Sequence, residues 1–120
     1  MAEEEFRYEV VRALRAHALS FPEVHEGTSC VNRAFKARTK NFLFLGEKED
    51  EYRIMLRLEN SVAEARKLVA DHDRWTIGNT KWVTMLFGPD EAPPSGLVER
   101  WIEESYRTLA PKKLVRELDG

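Results

Sequence analysis

The chain has 120 residues, a formal net charge of -2 at pH 7 and a pI near 6.0. This length fits one domain with one hydrophobic core, and we expect a single domain over residues 1–120. Its 33% charged and 42% hydrophobic residues are typical of a soluble globular protein and exclude a disordered or fibrous class. The weakly acidic balance argues against indiscriminate coating of nucleic acid but permits a local basic patch.

The chain has a single cysteine, Cys30, which cannot form an internal disulfide and therefore favours a reducing compartment. The N-terminus lacks the basic start and the apolar run of a signal peptide. No apolar stretch approaches the ~20 residues that span a membrane. We expect a cytoplasmic protein with no membrane association; the oligomeric state is open, with a monomer favoured.

The first predicted element is an amphipathic helix, because apolar residues from Phe6 to Ala18 recur at spacings of three and four. The acidic residues Glu3, Glu4 and Glu5 suit its positive N-terminal end, and Pro22 stops it. The segment 22–32 is predicted to be a loop.

Three strands follow, at about 31–38, 41–46 and 52–58, with a charged turn between the last two. In the third strand Tyr52, Ile54 and Leu56 alternate with two arginines and a methionine. Its apolar face is therefore predicted to contact the core, and Arg53, Met55 and Arg57 to lie on the other side.

The rest of the chain predicts a helix from Asn60 or Ser61, a hairpin turning at Gly78 and Asn79, and a long helix that ends before Pro111. A short terminal helix can follow. The predicted fold is α+β, with an antiparallel sheet, helices packed on one face and the order α-β-β-β-α-β-β-α(-α).

Motifs that carry chemistry are missing from the sequence. No glycine-rich phosphate loop is present, and the three histidines share no metal-ligand spacing with Cys30. Cys30 is interpreted as a small buried residue, although His25 lies close enough in the chain to be a candidate base. The acidic residues from Glu47 to Glu51 are interpreted as a solvated turn. We expect no catalysis, no metal and no cofactor.

The segment between Glu26 and Glu47 is basic and contains no acidic residue. On one strand, Lys36, Arg38 and Lys40 would share a face at intervals of about 7 Å. Such cations commonly coat a solvated sheet face, but they also suit a polyanion. The predicted nucleic-acid surface comprises Arg33, Lys36, Arg38, Lys40, Arg53 and Arg57.

Four segments together resemble the MmcQ/YjbR-like family: "ALSFPEVHEG" at 18–27, "AFKARTKNFLFLG" at 34–46, "KWVTMLF" at 81–87 and "WIEESYRTLAPKKL" at 101–114. The resemblance covers nearly the whole chain. It implies a compact domain similar to the frataxin/CyaY arrangement, with a double-wing motif for which DNA binding was proposed. It supplies no catalytic residue. The matching positions are Phe35, Lys36, Lys40, Phe42, Trp82, Ser105 and Tyr106; of these, Phe35, Phe42 and Tyr106 are expected to be structural.

Two alternatives to DNA binding stay open at this point. One is a small-ligand protein or enzyme with a pocket between the sheet and the loop at 22–32, lined by His25, Cys30, Asn32 and Trp82. For Trp82, packing against a helix is favoured over stacking on a base. The other, by fold analogy with frataxin alone, is a protein-interaction domain that responds to metal through its acidic first helix.

Overall fold

The computed structural model describes residues 6–29 and 32–120, except for the side chain of Ser29. The predicted α+β class is confirmed, and the predicted elements occur in the predicted order. The elements are α1 Glu9–Leu19, β1 Val24–Ser29, β2 Asn32–Ala37, β3 Lys40–Lys48, β4 Glu51–Arg57, α2 Val62–Ala70, β5 Trp75–Ile77, β6 Trp82–Phe87, α3 Leu97–Leu109 and α4 Lys112–Asp119. Glu3, Glu4 and Glu5 lie outside the described residues.

The six strands form one antiparallel sheet in the order β1-β2-β3-β4-β6-β5. Helix α3 packs across the central strands β3 and β4, α1 packs near β1 and β3, and α2 packs against β5. The helices thus form a single layer on one side of the sheet.

The core lies between the sheet and the helix layer. Alternate residues of β4 are fully buried there, as the sequence predicted for Ile54 and Leu56. They meet the apolar stripe of α3, where Trp101 and Ile102 are also completely buried. The hairpin predicted at Gly78 is confirmed, with β5 and β6 as its arms.

The first correction concerns the segment 22–32, which was predicted to be a loop. It contains the edge strand β1, whose residues pair with β2 from Val24 opposite Ala37 to Ser29 opposite Asn32. An edge strand is wet on its free side, so its polar composition resembles that of a loop. Cys30 lies outside the described residues.

The second correction concerns the basic segment. Strand β2 ends at Ala37, Arg38 and Thr39 form the turn, and Lys40 begins β3 opposite Ala37. Arg38 has a positive φ of 65°, which is incompatible with a continuing strand. The prediction that Lys36, Arg38 and Lys40 line one face of one strand is therefore wrong.

A bulge in β3 ties α3 to the sheet. The register pairs Phe35 with Leu43 and Lys36 with Asn41, so Phe42 has no partner on β2. Its carbonyl oxygen instead accepts a hydrogen bond from the buried Ser105 hydroxyl at 2.6 Å.

Candidate nucleic-acid interface

One face of the sheet carries no helix within the described parts of the chain, and we call it the open face. Because strand residues alternate in direction, its side chains follow from the register with the buried positions. They form a middle row and two flanks. The middle row is Gly27, Ala34, Phe44, Met55, Thr84 and Thr76, the first flank is Asn32, Gly46, Arg53 and Leu86, and the second flank is His25, Lys36, Asn41, Arg57 and Trp82.

An aromatic pair lies at the centre of the open face. The ring centroids of Phe44 and Trp82 are 5.7 Å apart, with the ring planes inclined by 51°. Both side chains are half-buried, so part of each ring reaches solvent. The expectation that Trp82 packs against a helix is wrong, because its partner lies on the helix-free side. The other two tryptophans, Trp75 and Trp101, are buried in the core.

Arg53 is held on the first flank by an amide side chain from β2. Its Nη2 donates to Oδ1 of Asn32 at 2.9 Å. Its Nε is buried and has no hydrogen-bond partner among residues 6–29 and 32–120. The spare N–H of this guanidinium can donate to an anionic or carbonyl oxygen that reaches it.

Gly46 makes the placement of Asn32 possible. It lies between Asn32 and Arg53 in the register, and a Cβ atom there would collide with Oδ1 of Asn32. The missing side chain therefore opens the space in which the amide reaches Arg53.

The second flank carries Lys36 and Arg57. Lys36 is exposed and has no ion-pair partner in the part of the chain that the structure describes. Arg57 is half-buried beside Trp82 in the register and donates from Nε to the Thr80 carbonyl at 3.3 Å. Its nearest carboxylate contact, with Glu59, is 4.0 Å long. Both cations can therefore contact a ligand with little loss of internal bonding.

Two other predicted cations, Arg33 and Arg38, form ion pairs away from the open face. Arg33 lies on the helix side of β2 and binds Glu26 at 2.6 Å, with its guanidinium 5.4 Å from the centre of the Phe6 ring. Arg38, at the tip of the β2–β3 turn, pairs with Glu23 at 3.1 Å. The structure thus does not bring the six predicted cations together: Lys36, Arg53 and Arg57 share the open face, and Lys40 lies in register with the helix-side residue Ala37.

Acidic side chains of the sheet are mostly directed away from the open face. Burial by itself would raise the pKa of Glu26, but hydrogen bonds from Arg15 and Arg33 outweigh it and hold the pKa below its usual value. Glu47 accepts hydrogen bonds from the backbone N–H groups of Arg7 and Tyr8, both at 2.8 Å, so it anchors the start of α1 rather than lying in a solvated turn. Glu51, on the open side by register, is already paired with Arg74.

The three predicted ligand-pocket residues that the structure describes, His25, Asn32 and Trp82, are not brought together either. His25 lines a shallow concavity of about 470 Å³ with Gly27, Ala34, Lys36 and Asn41. Trp82 lies on β6, three strands away from β2, and Asn32 lies on the other flank. Oδ1 of Asn41 is buried and has no partner in the described chain, which makes this concavity a candidate site for a small ligand.

The described residues contain neither a helix suited to cross a membrane nor a cluster of metal ligands. None of the helices there is long and apolar enough to cross a membrane. No group of histidine, cysteine, aspartate and glutamate side chains within residues 6–29 and 32–120 is arranged to hold a metal ion.

Phe44, Asn41 and Gly46 are among the open-face residues that the sequence interpretation missed. Phe44 belongs to the apolar run "NFLFLG", whose composition is typical of a strand that is central in a sheet and does not single out one face. The signal that would have found it is its alternation with Leu43 and Leu45. The bulge at Phe42 obscures that alternation at its start.

The fold and this face can be compared with known proteins. A family model described as YjbR matches residues 19–108, three quarters of the chain. The protein therefore belongs to the YjbR family. Neither the curated proteins nor the solved structures gave a significant match, and the likeness to the frataxin/CyaY arrangement stays a prediction.

The recurrent positions noted in the sequence have structural reasons. Ser105 donates to the bulged carbonyl of Phe42 and accepts the Arg57 N–H at 3.0 Å. Tyr106 donates its hydroxyl to the Pro22 carbonyl at 2.7 Å, which fixes the turn after α1. Phe35, Phe42 and Tyr106 are all fully buried, as expected for structural residues.

Proposed function

We propose that this protein binds DNA through the open face, as a binding protein without catalysis. The observation that carries the proposal is the position of Lys36, Arg53 and Arg57 around the half-exposed Phe44–Trp82 pair. Cations supply sequence-independent attraction to phosphates, and aromatic rings supply contact area for bases. The single cysteine continues to favour the cytoplasm as the compartment in which this binding takes place.

The charge distribution supports the proposal beyond the count of cations. The protein carries a net charge of -2, so a uniform surface would repel DNA. On the open side, however, Glu51 is neutralised by Arg74, while Lys36 has no internal counter-ion within the described residues. Binding follows the local field rather than the total charge.

The test is fluorescence anisotropy of labelled DNA, as a single strand and as its duplex, between about 50 and about 200 mM salt. The variant is Lys36→Gln/Arg57→Gln, and the matched control is Arg66→Gln/Lys67→Gln, which removes two exposed charges from α2 in the helix layer. We expect the affinity to fall as salt rises. The open-face variant should lower the magnitude of the log–log salt slope by roughly 1.4–1.8, at about 0.7 or 0.9 per lost phosphate contact.

The control should leave that slope unchanged. Equal effects of the two double variants would mean that binding follows net charge and has no preferred face. If neither form of DNA binds at about 50 mM salt, where phosphate contacts are strong, the proposal is wrong.

A second candidate function, binding of a small ligand, rests on the concavity beside His25. Its walls offer the cation of Lys36 and the unpartnered Oδ1 of Asn41. That set suits a small ligand that carries both an anionic group and an N–H donor.

A further inference from the structure

We infer that the open face takes single-stranded rather than duplex nucleic acid, with unpaired bases stacking on Phe44 and Trp82. This inference rests on the proposed function and specifies which form of nucleic acid the same face prefers.

The first argument is the layout of the rows. The middle row is apolar or small where it crosses the centre of the sheet, at Ala34, Phe44 and Met55. The cations lie on both sides of it, Arg53 on the first flank and Arg57 on the second. Four residues of strand separate these two arginines, or about 13 Å. A single strand crossing the sheet can therefore place bases on the aromatic centre and phosphates toward either flank.

The second argument is steric. The major groove of a duplex admits a helix or a two-stranded ribbon, and the minor groove is narrower still. The aromatic pair lies over β3, β4 and β6 in the interior of a six-stranded sheet. Such a broad face can contact the backbone of a duplex but cannot bring Phe44 and Trp82 to its base faces, which are stacked inside. Sheet modules that bind unpaired bases stack two or three of them on aromatic residues.

The third argument is the state of the polar groups around the pair. Nε of Arg53 has no partner in the described chain, and Lys36 is exposed and not ion-paired there. Flanking donors of this kind fit phosphate and base oxygens, whereas an apolar partner would leave them without partners and a second copy of this face would place cations against cations. The charges therefore favour a polyanion over self-association.

The tryptophans provide a direct readout. Trp75 is 3% exposed and Trp101 is fully buried, while Trp82 is half-buried on the open face. Quenching of tryptophan fluorescence by an added oligonucleotide therefore reports on Trp82.

The experiment is a fluorescence titration with a dT oligonucleotide of about 12 residues, within the range of roughly 4–16 that single-strand modules cover. A hairpin duplex of equal charge is titrated in parallel. We expect the single strand to quench Trp82 and to bind at least about tenfold more tightly than the duplex. Trp82→Ala and Phe44→Ala should each weaken single-strand binding roughly 5- to 150-fold.

Trp82→Phe, which keeps an aromatic ring, should retain most of the affinity measured by anisotropy. Leu118→Ala, an apolar truncation on α4 in the helix layer, is the matched control and should change the affinity less than about twofold. Thermal unfolding of each variant identifies any loss that comes from misfolding.

The outcomes separate this inference from the proposed function. Duplex binding that is as tight as single-strand binding, with Trp82 unquenched, would overturn the preference for single strands and leave DNA binding standing. Absence of binding to both forms would overturn both. A concentration-dependent dimer that Trp82→Ala dissociates, without any oligonucleotide binding, would assign the face to self-association and would also overturn both.

Discussion

At the scale of single residues, Gly46 makes room for the hydrogen bond between Asn32 and Arg53. The residues next to Gly46 in the sequence do not indicate this contact. The missing side chain of Gly46 leaves room for Asn32, whose Oδ1 accepts the hydrogen bond from Arg53. The three residues come from β3, β2 and β4 and lie side by side only through the register. The orientation of Arg53 thus depends both on its hydrogen bond to Asn32 and on the space that Gly46 leaves for the Asn32 side chain.

Replacing Gly46 by alanine should therefore displace the Asn32 amide and release Arg53. We expect Gly46→Ala to lower the free energy of unfolding by about 1 kcal/mol, the size of one lost hydrogen bond. In an Asn32→Ala background the same change should cost nothing, or stabilise by about 0.5 kcal/mol, because alanine loses less backbone entropy than glycine. Urea unfolding of the four proteins measures this cycle. If Gly46→Ala lowered the free energy of unfolding equally in both backgrounds, the loss would not come from displacing the Asn32 amide.

At the scale of elements, Glu104 of α3 holds the connection between β4 and α2. Its Oε2 accepts the backbone N–H groups of Glu59, Asn60 and Ser61 at 2.7–2.9 Å, and its Oε1 accepts the Ser61 hydroxyl at 2.6 Å. Ser61 is the N-cap residue of α2, but its side chain makes no capping hydrogen bond to the helix backbone, contrary to the prediction. A carboxylate from another helix performs that anchoring.

The pKa of Glu104 gives this anchor a pH dependence. Burial by itself would raise the pKa, but hydrogen bonds from the Ser61 hydroxyl and the three N–H groups hold it below the ordinary 4.5. Because the folded-state pKa is depressed, the carboxylate stabilises the fold above the unfolded-state pKa. That stabilisation is lost as the pH falls through the folded-state value.

Glu104→Gln should lower the free energy of unfolding by about 2 kcal/mol at neutral pH, since charge-assisted hydrogen bonds are replaced by weaker ones. The difference from the wild type should shrink below about pH 4 as the carboxylate protonates. Chemical unfolding at several pH values checks both points. The control is Glu103→Gln, which breaks a half-exposed pair with Arg107 and should cost less than about 1 kcal/mol. If the difference in unfolding free energy between Glu104→Gln and the wild type did not change with pH, the anchoring role of the Glu104 carboxylate would be contradicted.

At the scale of the whole molecule, the two sides of the sheet differ in role. The helix layer supplies the core, and within the described chain the open face is left without a covering helix. A ligand that binds as proposed should therefore affect one side of the protein. In a titration with a dT oligonucleotide, backbone amide resonances of β3, β4 and β6 should shift, while those of α2 and α4 should not.

The same NMR titration with a small anion tests the concavity. Shifts confined to residues around His25 would favour the second candidate function. Shifts spread over both layers would indicate unfolding or non-specific association rather than either site. Ala63, on the exposed side of α2, is a convenient internal reference for the helix layer.

The sequence by itself determined the features that depend on local pattern. The alternation from Tyr52 to Leu56 set the buried face of β4, and the turn residues at Gly78 located the β5–β6 hairpin. Helical spacing located α3, and the ordered motifs indicated the family that the comparison confirmed. Each of these signals is contained in one short segment of the chain.

The tertiary structure alone decided which charges face a ligand. Strand β1, the turn at Arg38 and the pairing of Arg33 with Glu26 all depend on contacts between strands or between layers. A basic segment in the sequence does not reveal which of its cations are already neutralised. On the open face, Trp82 lies beside Phe44 because the strand order and register bring residues of β3 and β6 together. A period-two pattern predicts the two faces of a strand but does not predict which strands lie next to it.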